Sequence, residues 1–233
     1  MSELGAKPAS YFDNDRTDFL EWVGPVEGTV LEVGCGTGRN ANWLRTHGAT
    51  TLVGIEPDVD AASQASLRFD VVHARPVEVV IDQLSGPFDL IVCADVLEHL
   101  VDPWAIVNKL RELSGPTTTL AVSIPNVRHF RVLWDIAFGA GFAYAIDGRY
   151  DPQSIFDTTH LRFFTRSNIN DLLATGGWEP ARWGVPQRRR LASVRNLASR
   201  LTQGRVDEWA TYQWYVVAHP TRSITASRLE GPL

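Results

Sequence analysis

The sequence predicts a doubly wound α/β fold, a mostly parallel sheet with helices on both faces. Three observations predict it. Short segments of strand character alternate with helical ones through the first half of the chain, the pattern of successive crossover units. Some strand segments are nearly unbroken apolar runs, FDLIVCA at 88–94 above all, as strands buried on both faces should be. One strand runs straight into three glycines, in VLEVGCGTGRN at 30–40. Glycine allows positive φ and lets another molecule lie against the main chain, so this is a candidate ligand-facing turn.

The segments follow in order. Residues 15–23 predict a short helix with Phe19, Leu20, Trp22 and Val23 as its apolar side. Residues 29–35 predict a buried strand, and 39–47 a helix closed by Gly48. Strand 51–56 comes next, then helix 58–68 with Asp58 as its N-cap after Pro57. Residues 69–73 predict a short strand and 77–84 a helix, with Gly86-Pro87 as a break. Strand 88–94, helix 103–113, a turn at 114–116 and strand 118–124 complete the regular part.

The alternation is lost between Pro125 and Thr165, a stretch too long for a plain connection and rich in aromatics. It is expected to form a lid or acceptor-binding insertion over 126–165. Helix 167–174 and strand 178–185 restore the pattern. A second insertion, 186–211, holds Arg188, Arg189 and Arg190. A last strand at 212–218 precedes a tail.

Length and composition bound the class. The 233 residues suit one large domain, 1–233, with these two embellishments. Hydrophobic residues at 44% and charged residues at 21% are ordinary for a globular chain. The net charge of −5 argues against general nucleic-acid binding. Two cysteines, Cys35 and Cys93, give neither a disulfide framework nor metal-ligand spacing, so a reducing compartment and no metal are expected. The N-terminus lacks the apolar core of a signal peptide, and no apolar run approaches the roughly 18 residues of a membrane span. The expected location is the cytoplasm.

Two cofactor classes use a strand, a Gly-rich turn and a helix. In the dinucleotide pattern G-x-G-x-x-G, Arg39 would stand where the third glycine belongs. The spacing here is G-x-G-x-G, preceded by Glu32, an acid that suits a cationic or amine-bearing ligand better than a pyrophosphate. Glu56 closes the next strand, where a carboxylate can accept ribose hydroxyls.

With EVGCGTG at 32–38, Glu56 and FDLIVCADVLEH at 88–99, the chain resembles the class I S-adenosylmethionine-dependent methyltransferases over roughly residues 11–185. The resemblance implies a seven-stranded sheet with an antiparallel last strand, and S-adenosyl-L-methionine as cofactor. It implies that Gly34, Gly36 and Gly38 line the turn against the methionine and ribose portions. Glu32 would hold the turn or the cofactor's amino group, and Glu56, followed by Pro57, the ribose diol. Ala74 and Arg75 would lie by the adenine, Ala94 and Asp95 by the methionine part. Tyr11 and Arg16 would sit over the cofactor, with Arg16 near its carboxylate. Glu98 and His99 read either as catalytic or as bracing the turn.

The insertions are then expected to carry the acceptor site. Asn126 and His129, in IPNVRH at 124–129, are candidates for lining the acceptor pocket. The segment DTTHLRFFT at 157–165 resembles a subgroup of these enzymes found near bacterial glycan and secondary-metabolite pathways. His160 is the candidate general base with Asp157 or Asp95 as its orienter; alternatively, Asp157 and His160 pin the lid. Aromatics at 130, 134, 138, 142, 144, 150 and 156 suit a stacking wall or the lid's own packing. The triple arginine suits a phosphate or a solvated loop. The expected reaction is methyl transfer to a small-molecule or glycan acceptor, first a sugar hydroxyl. The alternatives are a quinone-like, amine or carboxylate acceptor, or a non-catalytic cofactor-binding module. No nucleic-acid partner is expected, and the Asn/Asp-Pro-Pro-Tyr/Phe motif of base methylation is absent.

Overall fold

Successive residues of β4 (Phe88–Ala94) face two different cores. Leu90 and Val92 enter one, with Phe19, Leu20, Leu44 and Ala65. Ile91 and Cys93 enter the other, with Val107, Leu110, Ile169 and Leu172. Period-two alternation with both faces apolar is what the unbroken run demands, and it sets a three-layer arrangement. The structure is a computed structural model that describes residues 12–13, 15–139, 159–186 and 207–221.

The chain runs α1 (Thr17–Val23), β1 (Gly28–Val33), α2 (Ala41–Thr46), β2 (Ala49–Ile55), α3 (Val59–Ala65), β3 (Val71–His73) and α4 (Val77–Val80). After β4 come α5 (Pro103–Glu112), β5 (Ser114–Pro125), α6 (Phe130–Phe138), α7 (Arg166–Thr175), β6 (Trp178–Gly184), α8 (Asp207–Ala210) and β7 (Gln213–Pro220). The seven strands stand in the order β3-β2-β1-β4-β5-β7-β6. The first five pair in parallel, while β7 runs antiparallel between β5 and β6. This is the predicted Rossmann-like methyltransferase sheet. Helices α1 to α3 cover one face, and α5 and α7 pack on the other.

Local chemistry fixes the helix starts. The Asp58 carboxylate accepts from the Ala61 N–H at 2.8 Å, and Asp102 caps α5 through the Ala105 N–H at 3.0 Å. Thr165 and Asn168 form a reciprocal capping box on α7.

Three expectations are corrected. The 77–84 helix is split into α4 and a 3-10 turn, Ile81–Gln83, the tighter winding common at helix ends. The last strand of the regular part starts earlier, because Ser114 already pairs with Phe88 and the Gly115 N–H donates to Thr118 Oγ1 within the bend. Helix α6 occupies residues read as irregular. Only Val132 of α6 is buried, whereas Phe130, Trp134, Ile136 and Phe138 are exposed, so its apolar residues do not mark a core face. Among the described residues no helix is long and apolar enough to cross a membrane.

Ile91→Ala, at a fully buried position, is expected to cost about 2–5 kcal/mol, and exposed Val79→Ala within about 0.5 kcal/mol. Urea midpoints of the two variants check this; equal shifts would contradict the two-core placement of β4.

Candidate active site

The resemblance-derived residues fall at the C-terminal ends of four neighbouring strands. Ala74 and Arg75 follow β3, Glu56 and Pro57 follow β2, residues 34–38 follow β1, and Ala94 ends β4 with Asp95 beyond it. Three strand spacings make this row about 14 Å long. In doubly wound sheets the carboxyl edge is where ligands bind. Ala74, Arg75 and Pro57 are exposed; Ala94 and Asp95 are half-buried.

The glycine turn is built from main-chain bonds. Gly34 and Cys35 N–H groups both donate to Ile55 O, at 2.8 and 3.1 Å, tying the turn to β2. Gly36 has φ +52° and donates its N–H to Glu56 Oε2 at 2.9 Å. A Cβ on Gly36 would stand 2.5 Å from the Phe12 carbonyl oxygen, so the chain crosses the turn too closely for any side chain. Gly38 differs in its reason: a Cβ there would stand 3.0 Å from Ala65 Cα, so it admits α3. Gly34 is exposed, and a Cβ would meet Val96 Cγ2 at 2.7 Å.

Two buried carboxylates lie beneath the turn. Glu56 is 4% exposed; its Oε1 accepts from the Asp58 N–H at 3.0 Å while Oε2 holds Gly36. Glu32 is 2% exposed, and its Oε1 accepts from Asn40 Nδ2 at 2.6 Å. Glu32 Oε2 is buried with no hydrogen-bond partner among the described residues. Burial pushes the Glu32 carboxyl up to about 7; Asn40 works against this and the charge of Glu56 adds to it.

Asp95 has φ +56°, rare outside glycine, and a network holds it there. Its Oδ1 accepts from Ser123 Oγ at 2.8 Å and from Gln213 Nε2; its Oδ2 pairs with Arg16 Nη1. Arg16 donates further to Ser123 Oγ and Tyr215 OH, both at 3.2 Å, and its N–H to Asn40 Oδ1 at 2.8 Å. Burial works against the guanidinium charge, but Asp95, then Tyr215 and Asp18, outweigh it and raise its pKa. The carboxylate on Arg16 in this structure is thus that of Asp95. Sequence reading missed Asn40, Ser123, Gln213 and Tyr215. The available signal was a polar residue breaking an apolar strand, as in AVSIP and QWYVVA.

On the acceptor side, Asn126 is fully buried. Its Nδ2 donates to Glu208 O at 2.5 Å and Thr211 O at 2.7 Å, and its Oδ1 accepts from the Arg128 N–H at 3.0 Å. It ties the end of β5 to the approach to β7. His129 is 8% exposed and lies against Phe130, centroids 4.7 Å apart. His160 is also 8% exposed and meets His99 edge-on at 4.6 Å. The expectation of no metal-ligand spacing reflects the linear sequence; in space, Glu98, His99 and His160 bring ligand atoms within 4.8 Å of one another. Tyr11, Asp157, the aromatics at 142, 144, 150 and 156, and Arg188, Arg189 and Arg190 lie outside the described residues. Both cysteines are buried thiols whose pKa burial raises, Cys93 to about 12, so neither is a nucleophile.

A family model described as a methyltransferase domain matches residues 9–181. The chain belongs to the class I S-adenosylmethionine-dependent methyltransferases. A ubiquinone biosynthesis O-methyltransferase of Xylella fastidiosa is 31% identical over 127 residues, 52% of this chain and 51% of that protein. The chain thus spans about half the length of that curated relative. Two solved structures share the fold at TM-score 0.55 and 16% identity. One is an S-adenosylmethionine-dependent methyltransferase from Mesorhizobium loti, covering 89% of this chain and 99% of that one. The other is the 1,6-didemethyltoxoflavin-N1-methyltransferase of Burkholderia thailandensis with bound S-adenosylhomocysteine, covering 89% and 78%.

The residues fit this cofactor class. The buried Oε2 of Glu32 suits an ammonium donor, and the exposed main chain at Gly34 admits close approach. Gly36→Ala is expected to weaken binding of S-adenosylhomocysteine by more than about tenfold, since Cβ and Phe12 must separate. Calorimetry checks this, and unchanged affinity would contradict the cradle.

Glu32 also predicts a pH dependence. Its folded pKa of about 7 lies above the ordinary 4.5, so between these values the native chain holds a proton that the unfolded chain has released. Its contribution therefore makes stability fall as pH rises through that window and leaves it lower by about 3 kcal/mol above it. Urea denaturation from pH 4.5 to 7.5 should show this slope reduced in Glu32→Gln; parallel curves would remove the assignment.

Proposed function

We propose that the protein transfers the methyl group of S-adenosylmethionine to a hydroxyl oxygen of a small-molecule acceptor. The observation that carries this reading is the row of Glu56, the glycine turn and Asp95 along one sheet edge. When bound, the cofactor supplies a sulfonium methyl open to in-line attack.

The chain's own groups hold and orient. Glu56 accepts from the Gly36 N–H on one oxygen and from the Asp58 N–H on the other, which fixes its plane at the end of β2, where a carboxylate suits the ribose hydroxyls. Glu32 Oε2 accepts from the cofactor's ammonium. Asp95, fixed by Ser123, Gln213 and Arg16, bounds the methionine end. The Gly34 main chain, with Val96 opposite, forms the floor.

The acceptor hydroxyl enters beyond β4 and β5, where the segments 126–165 and 186–211 are proposed to form its pocket. The relative's printed name, an O-methyltransferase of ubiquinone biosynthesis, favours a quinone-related ring hydroxyl. Exposed Phe130, Trp134 and Phe138 on α6 are consistent with a flat apolar acceptor. A sugar hydroxyl is the second reading, supported by the DTTHLRFFT segment at 157–165.

Labelled-methyl transfer onto a panel of phenols, quinols and sugars tests the acceptor. Transfer to ring hydroxyls is expected, and activity confined to sugars would select the second reading. Glu56→Ala removes hydrogen bonds to a charged acceptor and should raise the Kd for S-adenosylhomocysteine by about 10–100-fold. Absence of any binding heat with the wild-type chain would remove the function altogether.

A further inference from the structure

One buried amide ties together three parts of the cleft: β1, the start of α1 and the start of α2. Asn40 follows the glycine turn and stands at the N-cap of α2, where its carbonyl oxygen accepts the Leu44 N–H at 3.0 Å. An asparagine at that position ordinarily turns its side chain onto the first N–H groups of its own helix. This one makes no such bond. It is 5% exposed, and its side chain serves two other elements instead.

Asn40 Nδ2 donates to Glu32 Oε1 on β1 at 2.6 Å, and Asn40 Oδ1 accepts the Arg16 N–H just ahead of α1 at 2.8 Å. A main-chain N–H only donates, so Arg16 settles which end of the amide faces which partner. Bridging an N–H and a carboxylate needs one acceptor and one donor held rigidly apart. Aspartate has the length but no donor, and it would set a further negative group beside Glu32 and Glu56. With Oε1 engaged, Glu32 Oε2 is left buried and without a partner among the described residues. Such an oxygen is costly to bury, and a cationic N–H donor removes that cost. The Asn40 bond also favours the ionised form of Glu32, against burial and the charge of Glu56. The same amide fixes the main chain at Arg16, whose guanidinium pairs with Asp95 beyond β4.

We infer that Asn40 is a positioning residue that makes the cleft selective for a ligand bearing an α-amino group, by holding Glu32 so that Oε2 is left for the ammonium. Asn40 acts through Glu32 rather than on the cofactor itself. The inference rests on the reading of Glu32 as the ammonium partner. It concerns which cofactor-like molecules the cleft accepts, whatever the methyl acceptor.

Calorimetry on the full chain compares S-adenosylhomocysteine with its analogue in which hydrogen replaces the α-amino group. A hydrogen bond between charged groups is strong enough for the wild type to favour the amine by at least about tenfold. In Asn40→Ala, checked for folding by circular dichroism, that preference should fall below about threefold. A preference that survives unchanged in Asn40→Ala, even with both affinities reduced, marks Asn40 as scaffold; it overturns the inference and leaves the Glu32 reading intact. Glu32→Gln should lose the preference as well, and adding Asn40→Ala to it should change the preference no further. Additive losses overturn the route through Glu32. A wild type indifferent to the amine overturns the ammonium reading, and the inference with it. Should Asn40→Ala fail to fold, a crystal of the wild type with S-adenosylhomocysteine decides. An ammonium on Glu32 Oε2 with Asn40 still on Oε1 supports the inference, and an ammonium held elsewhere overturns it.

Discussion

The arrangement at the sheet edge depends on one buried carboxylate bridging two strand ends. Glu56 follows β2, yet its side chain takes N–H groups from Gly36, after β1, and from Asp58, before α3. Those donors belong to turns that would otherwise be under-satisfied, and a carboxylate at 4% exposure requires such donors. The bridge sets the glycine turn against β2 and gives the Glu56 carboxylate a fixed plane. The positive φ at Gly36 and the close passage of Phe12 follow from a turn held this tightly.

A second carboxylate, Glu32, lies alongside at 2% exposure; burial, with the charge of Glu56 added, raises its cost of ionisation. The edge therefore concentrates negative charge under an exposed main chain, suiting a cationic ligand. At the neighbouring strand end the Asp95 carboxylate pairs with Arg16, which also faces Asp18 at 3.6 Å.

Elements whose chemistry is local were legible. Glycines after an apolar run, Asp58 before α3 and the unbroken strand at 88–94 each declare themselves within a few residues. The site was legible where a single segment carries it, as in EVGCGTG. Where it depends on convergence it was not. Gln213 and Tyr215 reach Asp95 and Arg16 from the last strand, and no spacing along the chain reports that meeting. Asn126 read as a pocket residue because it follows a strand, but its amide groups hold main-chain partners in this structure. Helix α6 escaped notice because it opens the aromatic-rich stretch 126–165, whose length and glycines read as an irregular insertion.

The reversed direction of β7 has a consequence for how the protein is made. Because β7 runs against β5, Gln213 lies beside Pro125 at the carboxyl edge, while Pro220 reaches the opposite end of the sheet. The clamp on Asp95 thus joins Arg16, ahead of β1, to Gln213 and Tyr215 of β7, some two hundred residues away in sequence. A nascent chain on the ribosome can stack β1 to β5 early, yet its pocket stays unfinished until the final strand has emerged and slotted between its neighbours. Such end-to-end closure has high contact order and is slow relative to the local steps before it. The cleft therefore takes its working shape only after β7 has emerged.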